Sequence, residues 1–232
     1  MITVIHPSKN RPQRAFDTYD KIVIGANYEF EYILSIDADE RDGAEYKKLF
    51  GNEKVTIIES DSTNVVEAVN IGAKRSKGDI LLLLSDDFDE MPKGWDSMII
   101  EATKDKEFWF LKTFDGANDW LITLPIMDRK AYEYLGYLYN PLYKHMFADT
   151  DQTCLGDLMD ITITRNDILF KHNHYLVANN KDSVNEKADA TWEQGEKAYL
   201  QRHIDNYGLK ESEIKGVINN SSHLEWLKNK LS

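Results

Sequence analysis

Gly78–Asp79–Ile80–Leu81–Leu82–Leu83–Leu84–Ser85–Asp86–Asp87–Phe88–Asp89 is the stretch on which the reading of this chain turns. Five apolar residues in a row after a glycine, Ile80 to Leu84, read as a strand buried on both faces. The run stops at three acids within four residues, Asp86, Asp87 and Asp89. A buried strand of a parallel sheet delivers its C-terminal end to the crevice where α/β proteins bind ligands. Carboxylates gathered there repel one another unless a cation lies between them. Hard oxygen donors suit Mg²⁺ or Mn²⁺, ions that commonly bridge to phosphates. Taken alone, the same acids would also make an ordinary solvated turn. The neighbouring segments decide between the two.

Upstream of the acidic strand lies a well-marked helix. Asn64 is placed as its N-cap with Glu67 three residues on, a variant of the capping box. Val65, Val66, Val69 and Ala73 form the apolar stripe. Lys74, Arg75 and Lys77 complement the dipole at the far end, and Gly78 is placed to stop the helix. A strand over Val55–Glu59 precedes it, and strand–helix–strand at this spacing implies parallel pairing. Ile2–His6 reads as a first strand stopped by Pro7, with a loop over Ser8–Pro12 and a helix starting over Arg14–Tyr19. Lys21–Gly25 and Glu31–Ile36 are strand-like, the second ending in Asp37–Ala38–Asp39.

The pattern changes after Pro92. Helices are expected over Trp95–Thr103, Arg129–Leu135 (ended by Gly136), Asp149–Met159, Thr191–Asn206 and Leu224–Leu231. Strands are expected over Glu107–Thr113, Asp119–Pro125 and Ile161–Arg165, the first two paired through a turn at Asp115–Asn118. Tyr137–Phe147 is aromatic and irregular. The whole reads as α/β: a mostly parallel, Rossmann-like sheet flanked by helices, a small mixed region after it, and helices at the C-terminus.

Bulk properties narrow the function. The chain has 232 residues with 42% apolar content, enough for one large domain with a sizeable core. A net charge of −12 argues against a general binder of nucleic acid or anionic membrane, though not against a modified nucleobase as substrate. One cysteine, Cys154, leaves no intrachain disulfide and suits a reducing compartment. The N-terminus lacks the basic and apolar regions of a signal peptide, and no window approaches the roughly 18 apolar residues of a membrane span. The expectation is a cytoplasmic protein.

Four features in order carry a resemblance. Pro7–Ser8–Lys9–Asn10–Arg11 follows the first strand, and Asp37 and Asp39 end a later one. Ala68–Val69–Asn70–Ile71–Gly72, then Lys77–Gly78–Asp79, lead into the buried strand. Ser85–Asp86–Asp87–Phe88–Asp89, then Pro92–Lys93–Gly94–Trp95–Asp96, close it. Over roughly the first hundred residues the chain resembles the nucleotide-sugar-binding half of GT-A glycosyltransferases, most of all family 2. The resemblance implies residues 1–100 as that half of a single GT-A domain, 101–185 as the acceptor side and 186–232 as a C-terminal helical extension. It implies a nucleotide-diphosphate sugar as donor, a UDP-sugar favoured, a carbohydrate or other hydroxyl as acceptor, and Mn²⁺ or Mg²⁺ as cofactor.

The resemblance also assigns roles. Pro7, Asn10, Arg11, Asp37, Asp39, Asn70 and Asp86 would hold the nucleotide. Asp87, then Asp89, would bind the metal. Counted back from Pro92 the usual first acid falls on Ser85, a departure from the simplest family pattern. Alternation would place Asp87 and Asp89 on one side and Asp86 on the other, were the strand to continue that far. His174 and His172, which share a face in a strand, stand as further metal or diphosphate ligands. Asp149, then Asp151, would be the base that takes the acceptor proton. Each has a plainer alternative: a strand-end cap for Asp37, a backbone partner for Asn70, an N-cap for Asp149. Trp120, Tyr132, Tyr134, Tyr137, Tyr139 and Tyr143 would face sugar in the acceptor cleft or simply fill core. Two other classes remain open at this point. A nucleotidyltransferase on the same fold would carry a Gly-rich loop after the first strand, which Ser8–Pro12 lacks. A non-catalytic sugar- or nucleotide-binding module would not need Asp149 and His174.

Overall fold

The computed structural model describes residues 1–38, 43–173 and 183–232. Its core is a seven-stranded sheet in the order β3-β2-β1-β4-β7-β6-β8. The strands are β1 (Ile2–Pro7), β2 (Glu31–Asp37), β3 (Val55–Ser60), β4 (Ile80–Leu83), β6 (Phe110–Phe114), β7 (Ile126–Asp128) and β8 (Thr162–Leu169). β1 to β4 are mutually parallel, β7 runs antiparallel between β4 and β6, and β8 pairs parallel to β6. A second, two-stranded antiparallel sheet joins β5 (Phe88–Glu90) to β9 (Lys171–His172).

The chain steps outward from β1 to β2 and β3, then returns to place β4 on the other side of β1. That reversal opens a crevice beyond the C-terminal ends of β1 and β4, the usual ligand site of open α/β sheets. The apolar run behaves as its composition demands: Leu81, Leu82 and Leu84 are wholly buried. β4 ends at Leu83 and β5 begins only at Phe88, so the alternation of β4 does not carry over to Asp86 and Asp87.

Helices cover the sheet: α1 (Pro12–Gly25), α2 (Gly43–Phe50), α3 (Val65–Arg75), α4 (Trp95–Thr103), α5 (Arg129–Leu135) and α6 (Ala148–Met159). Then come α7 (Ser183–Asp189), α8 (Trp192–Ile204) and α9 (Ser221–Leu231). α3 starts as expected, the Asn64 side chain accepting from Glu67 N at 3.0 Å. It stops earlier than expected, at Arg75 with Ser76 as cap. Gly78 serves a different end: a Cβ there would sit 2.6 Å from Thr3 Oγ1 and 2.7 Å from the Met1 carbonyl, so only glycine lets this turn lie against β1. Gly72 does for α3 what small size does at any tight helix–sheet contact, since a Cβ would meet Ile5 Cγ2 and Ser35 Oγ at 2.8 Å.

Two strand expectations are corrected. Lys21–Gly25 is the last part of α1, whose buried stripe of Ala15, Thr18, Tyr19 and Ile22 follows helical spacing. The β-branched run Ile22–Val23–Ile24 suggests a strand only when read without the residues before it. Asp119–Pro125 is irregular, and no hairpin forms there. Its apolar side chains Ile122 and Leu124 are buried all the same. The segment is tied across rather than along, Ile122 N donating to Thr153 Oγ1 at 2.9 Å and Leu83 N to the Pro125 carbonyl at 2.8 Å. No helix among the described residues is long and apolar enough to cross a membrane.

Candidate active site

The two adjacent acids after β4 face different partners. Asp87 Oδ2 lies 3.1 Å from His172 Nε2, and Ser85 Oγ donates to Asp87 Oδ1 at 2.5 Å. The pair is held by the small sheet. Phe88 stands opposite His172 in register and its ring stacks on the imidazole at 4.9 Å. Asn173 N donates to the Asp87 carbonyl at 2.8 Å, and His172 N to that of Asp115 at 2.9 Å. Burial alone would raise the Asp87 carboxyl, but the His172 bond and charge, Ser85 and the Arg11 charge outweigh it and hold it well below the usual carboxylate range. Burial works to lower His172, and the charges of Asp87, Asp115 and Asp149 reverse that and raise it.

Asp86 turns inward. Its Oδ1 lies 2.8 Å from His6 Nε2, and its Oδ2 is 4.0 Å from Arg11 Nη1. The Arg11 guanidinium also donates to Asn185 Oδ1 of α7 at 3.2 Å. Asp37, at the tip of β2, accepts from Ser62 Oγ at 2.7 Å and forms an ion pair with Lys9. The loop between β1 and α1 that carries these cations is pinned by α2: Tyr46 Oη meets Ser8 Oγ at 2.7 Å and accepts from Arg11 N at 3.1 Å. Asn10 in that loop has φ of 55°, a left-handed turn that Asn tolerates. Pro7 ends β1 at the crevice floor.

Other candidates are placed elsewhere or otherwise occupied. Asp89 is exposed on the outer side of β5, 3.4 Å from Lys21 Nζ. The Asn70 amide is taken up by backbone, accepting from Leu138 N and Tyr139 N at 2.9 and 3.1 Å and donating to the Tyr139 carbonyl at 2.7 Å. Asp151 is buried against Arg202 of α8, with contacts of 2.9 and 3.3 Å, and takes the Tyr143 hydroxyl at 2.9 Å. Asp149 lies in the first turn of α6 but is not its cap, a position held by Phe147. Its Oδ1 accepts from Thr150 N at 2.7 Å. Of the aromatics, Tyr143 is core and Tyr134 exposed, while burial and the Asp149 charge raise the Tyr139 hydroxyl well above its usual range. Asp39 and His174 lie outside the described residues.

His6, Ser62 and Tyr46 are the contributors that sequence reasoning missed. A polar residue next to the end of an otherwise apolar strand was the available signal for His6.

The donor chemistry can be tested against the metal that the sequence resemblance implies. Among the described residues no cluster of three or more His, Cys, Asp or Glu side chains is built to enclose an ion. Asp87 and His172 supply two donors 3.1 Å apart. A carboxylate beside an imidazole is a donor set that a divalent ion such as Mn²⁺ would accept once the proton between them is lost. An ion so held would draw its remaining ligands from substrate and water.

No protein-family model and no curated protein matches the sequence. Solved structures do. Residues 1–349 of S. aureus TarS in complex with UDP superpose with a TM-score of 0.60 at 12% identity, covering 73% of this chain and 59% of that one. This chain thus spans under two-thirds of that protein's length. The mannosyltransferase PcManGT from Pyrobaculum calidifontis, in complex with GDP-Man and Mn²⁺, matches at TM-score 0.58 and 14% identity over 99% of this chain and 79% of its own. Glucosyl-3-phosphoglycerate synthase from Mycobacterium tuberculosis, with Mn²⁺, UDP and glucosyl-3-phosphoglycerate, matches at TM-score 0.63 and 12% identity over 87% and 79%. At such identities the likeness is one of architecture, and the chain has the GT-A fold of glycosyltransferases.

Proposed function

We propose that the protein is a metal-dependent glycosyltransferase that moves a sugar from a nucleotide-diphosphate sugar, a UDP-sugar in the first instance, to an acceptor hydroxyl with inversion. One observation carries the reading. The Asp87–His172 pair, with two donors 3.1 Å apart, sits at the crevice of a GT-A sheet. Asp87 is held ionised there by His172, Ser85 and Arg11.

Asp87 and His172 would hold a divalent ion, Mn²⁺ or Mg²⁺, which when bound offsets the charge of the donor diphosphate. Asp37 and Asp86 offer carboxylate oxygens to the donor's nucleoside, on the β1–β2 side of the crevice. Arg11, between Asp86 and α7, places a fixed positive charge where a departing diphosphate gains negative charge. Asp149 takes the proton of the acceptor hydroxyl as that oxygen attacks the anomeric carbon and the carbon–phosphate-oxygen bond breaks. Tyr139, whose hydroxyl feels the Asp149 charge, would face the acceptor in that step.

Thermal shifts with UDP, GDP, dTDP and CMP, each with and without Mn²⁺, test this reading. A rise for one nucleotide that requires the ion is expected, because a ligand that binds only the native state stabilises it by mass action. That nucleotide then names the donor sugars to assay for hydrolysis and transfer. No shift with any of the four, with or without metal, would overturn the assignment.

A further inference from the structure

Among the described residues, His6 has no place in the reaction outlined above, yet it occupies the best-buried polar position beside the crevice. It stands one residue before the end of β1 and is completely buried. Both ring nitrogens are engaged. Nδ1 meets the hydroxyl of Tyr32, from the neighbouring strand β2, and Nε2 meets Asp86 Oδ1 at 2.8 Å. Tyr32 is itself core, 2% exposed, and its hydroxyl has a single proton to give. If that proton goes to Nδ1, the imidazole's own proton lies on Nε2 and is given to Asp86.

The result is a line of hydrogen bonds from the middle of the sheet to the crevice: Tyr32 to His6 to Asp86. It uses one oxygen of Asp86 and leaves Oδ2 on the side of Arg11, with no hydrogen-bond partner among the described residues. Thr18 Oγ1 fixes the same residue from its backbone side, donating to the Asp86 carbonyl at 3.2 Å. The core does not require this line. Val4 and Ile5 fill the same strand with hydrocarbon, and replacing both partners of a buried hydrogen bond by apolar groups of similar shape can be nearly neutral. What the line does supply is a carboxylate that cannot swing toward Asp87 and His172.

We propose that His6 is a positioning residue, which with Tyr32 behind it presets Asp86 to accept hydrogen bonds from the nucleoside of the donor. The inference rests on the glycosyltransferase reading, and it separates the adjacent acids by task. Asp87 serves the diphosphate end and Asp86 the nucleoside end.

The test compares two probes on the full chain in the presence of Mn²⁺: the nucleotide that shifts the wild type, and inorganic pyrophosphate. His6→Phe should weaken the nucleotide about 10- to 100-fold, the worth of a hydrogen bond to a charged group, and leave pyrophosphate within about twofold. His6→Gln, whose amide can still reach Asp86, should recover most of the loss. Tyr32→Phe removes one oxygen and should cost a smaller factor, about three- to tenfold. A general disturbance of the crevice would instead weaken both probes together, and that outcome overturns the proposal. So does unchanged nucleotide affinity in folded His6→Phe. Should His6→Phe not fold, unchanged nucleotide affinity in Tyr32→Phe overturns it equally. If the wild type binds none of the nucleotides, the glycosyltransferase reading itself fails and this inference falls with it.

Discussion

Asp87, partly buried, and Asp151, fully buried, are carboxylates that each lie against a basic side chain, and their surroundings push them in opposite directions. At Asp87 burial raises the carboxyl but His172, Ser85 and Arg11 win, and the group is held well below its usual range. At Asp151 burial also raises it, and the Arg202 and Tyr143 bonds offset only part of that. The partners differ in kind. A guanidinium keeps its proton at any ordinary pH and meets Asp151 with two nitrogens. An imidazole can lose its proton and become a ligand beside the carboxylate it was paired with. A closed pair inside helix packing holds α6 to α8; an open pair at a strand end is available to a ligand.

The largest effect should separate the two. Asp87→Asn is expected to lower sugar transfer by about 10²–10³-fold or more, the scale on which removal of one charge-stabilising group acts. Its melting temperature should fall by only a few degrees, since the pair it breaks lies at the crevice and not inside helix packing. Asp151→Asn should do the reverse. It strands Arg202 without a counter-charge, at a cost of about 3–5 kcal/mol. For a chain of this size that is a fall of roughly 6–20 °C in Tm. The folded protein that remains should turn over at close to the normal rate. An Asp151→Asn enzyme of unchanged Tm and no activity would break the comparison and return Asp151 to the role of base.

This contrast was only half legible in the sequence. The elements that position the crevice announce themselves locally. Ile80–Leu84 is too apolar to be anything but buried, Asn64 and Glu67 mark the start of α3, and Gly136 marks the end of α5. Such signals need only neighbouring residues. The assignment of acids to partners does not. His6 finds Tyr32 26 residues away and Asp86 80 residues away, and Asp151 finds Arg202 at a separation of 51. Nothing in Asp149–Thr150–Asp151 says that it is the second carboxylate that faces Arg202 of α8. Asn70 shows the same limit: a pocket residue by its place in the motif, it spends its amide on the backbone of residues 138 and 139.

The contrast extends to two histidines with opposite pH behaviour. His172 is raised above its ordinary value of about 6.5. Its contribution to stability is therefore full below that pH and is lost as pH climbs through the raised value. His223 is pulled down to about 4 by burial, with the His203 charge adding to it. It lies between Trp120 and Trp226, with ring centroids at 4.6 and 5.5 Å, and its Nε2 meets Tyr199 Oη at 2.5 Å. Its contribution is present above about pH 6.5 and lost as pH falls toward 4. A Tm profile from pH 8 to 4 should therefore slope downward on the acid side by a few degrees. His223→Phe should flatten that slope, and His172→Gln should steepen it. A His223→Phe profile that still follows the wild type would place the acid sensitivity elsewhere.

The smallest effect is expected at Asp89, the second acid of Asp87–Phe88–Asp89. A strand presents alternate residues to opposite sides. In β5 the Phe88 ring is committed inward, stacked on His172, and so Asp89 points out. Its carboxylate is nearly half exposed and 3.4 Å from a similarly exposed Lys21, an arrangement that contributes about 0–1 kcal/mol. Asp89→Ala should leave Tm, Mn²⁺-dependent nucleotide binding and transfer within about twofold of the wild type. The outward direction of Asp89 follows from the register of Phe88 opposite His172. A collapse of metal-dependent binding in Asp89→Ala would mean that the small sheet rearranges when the ion binds, turning both acids of the D-x-D pattern to one side. Asp87 would then lose its distinction from its neighbour, and the open pair with His172 would describe the metal-free state alone.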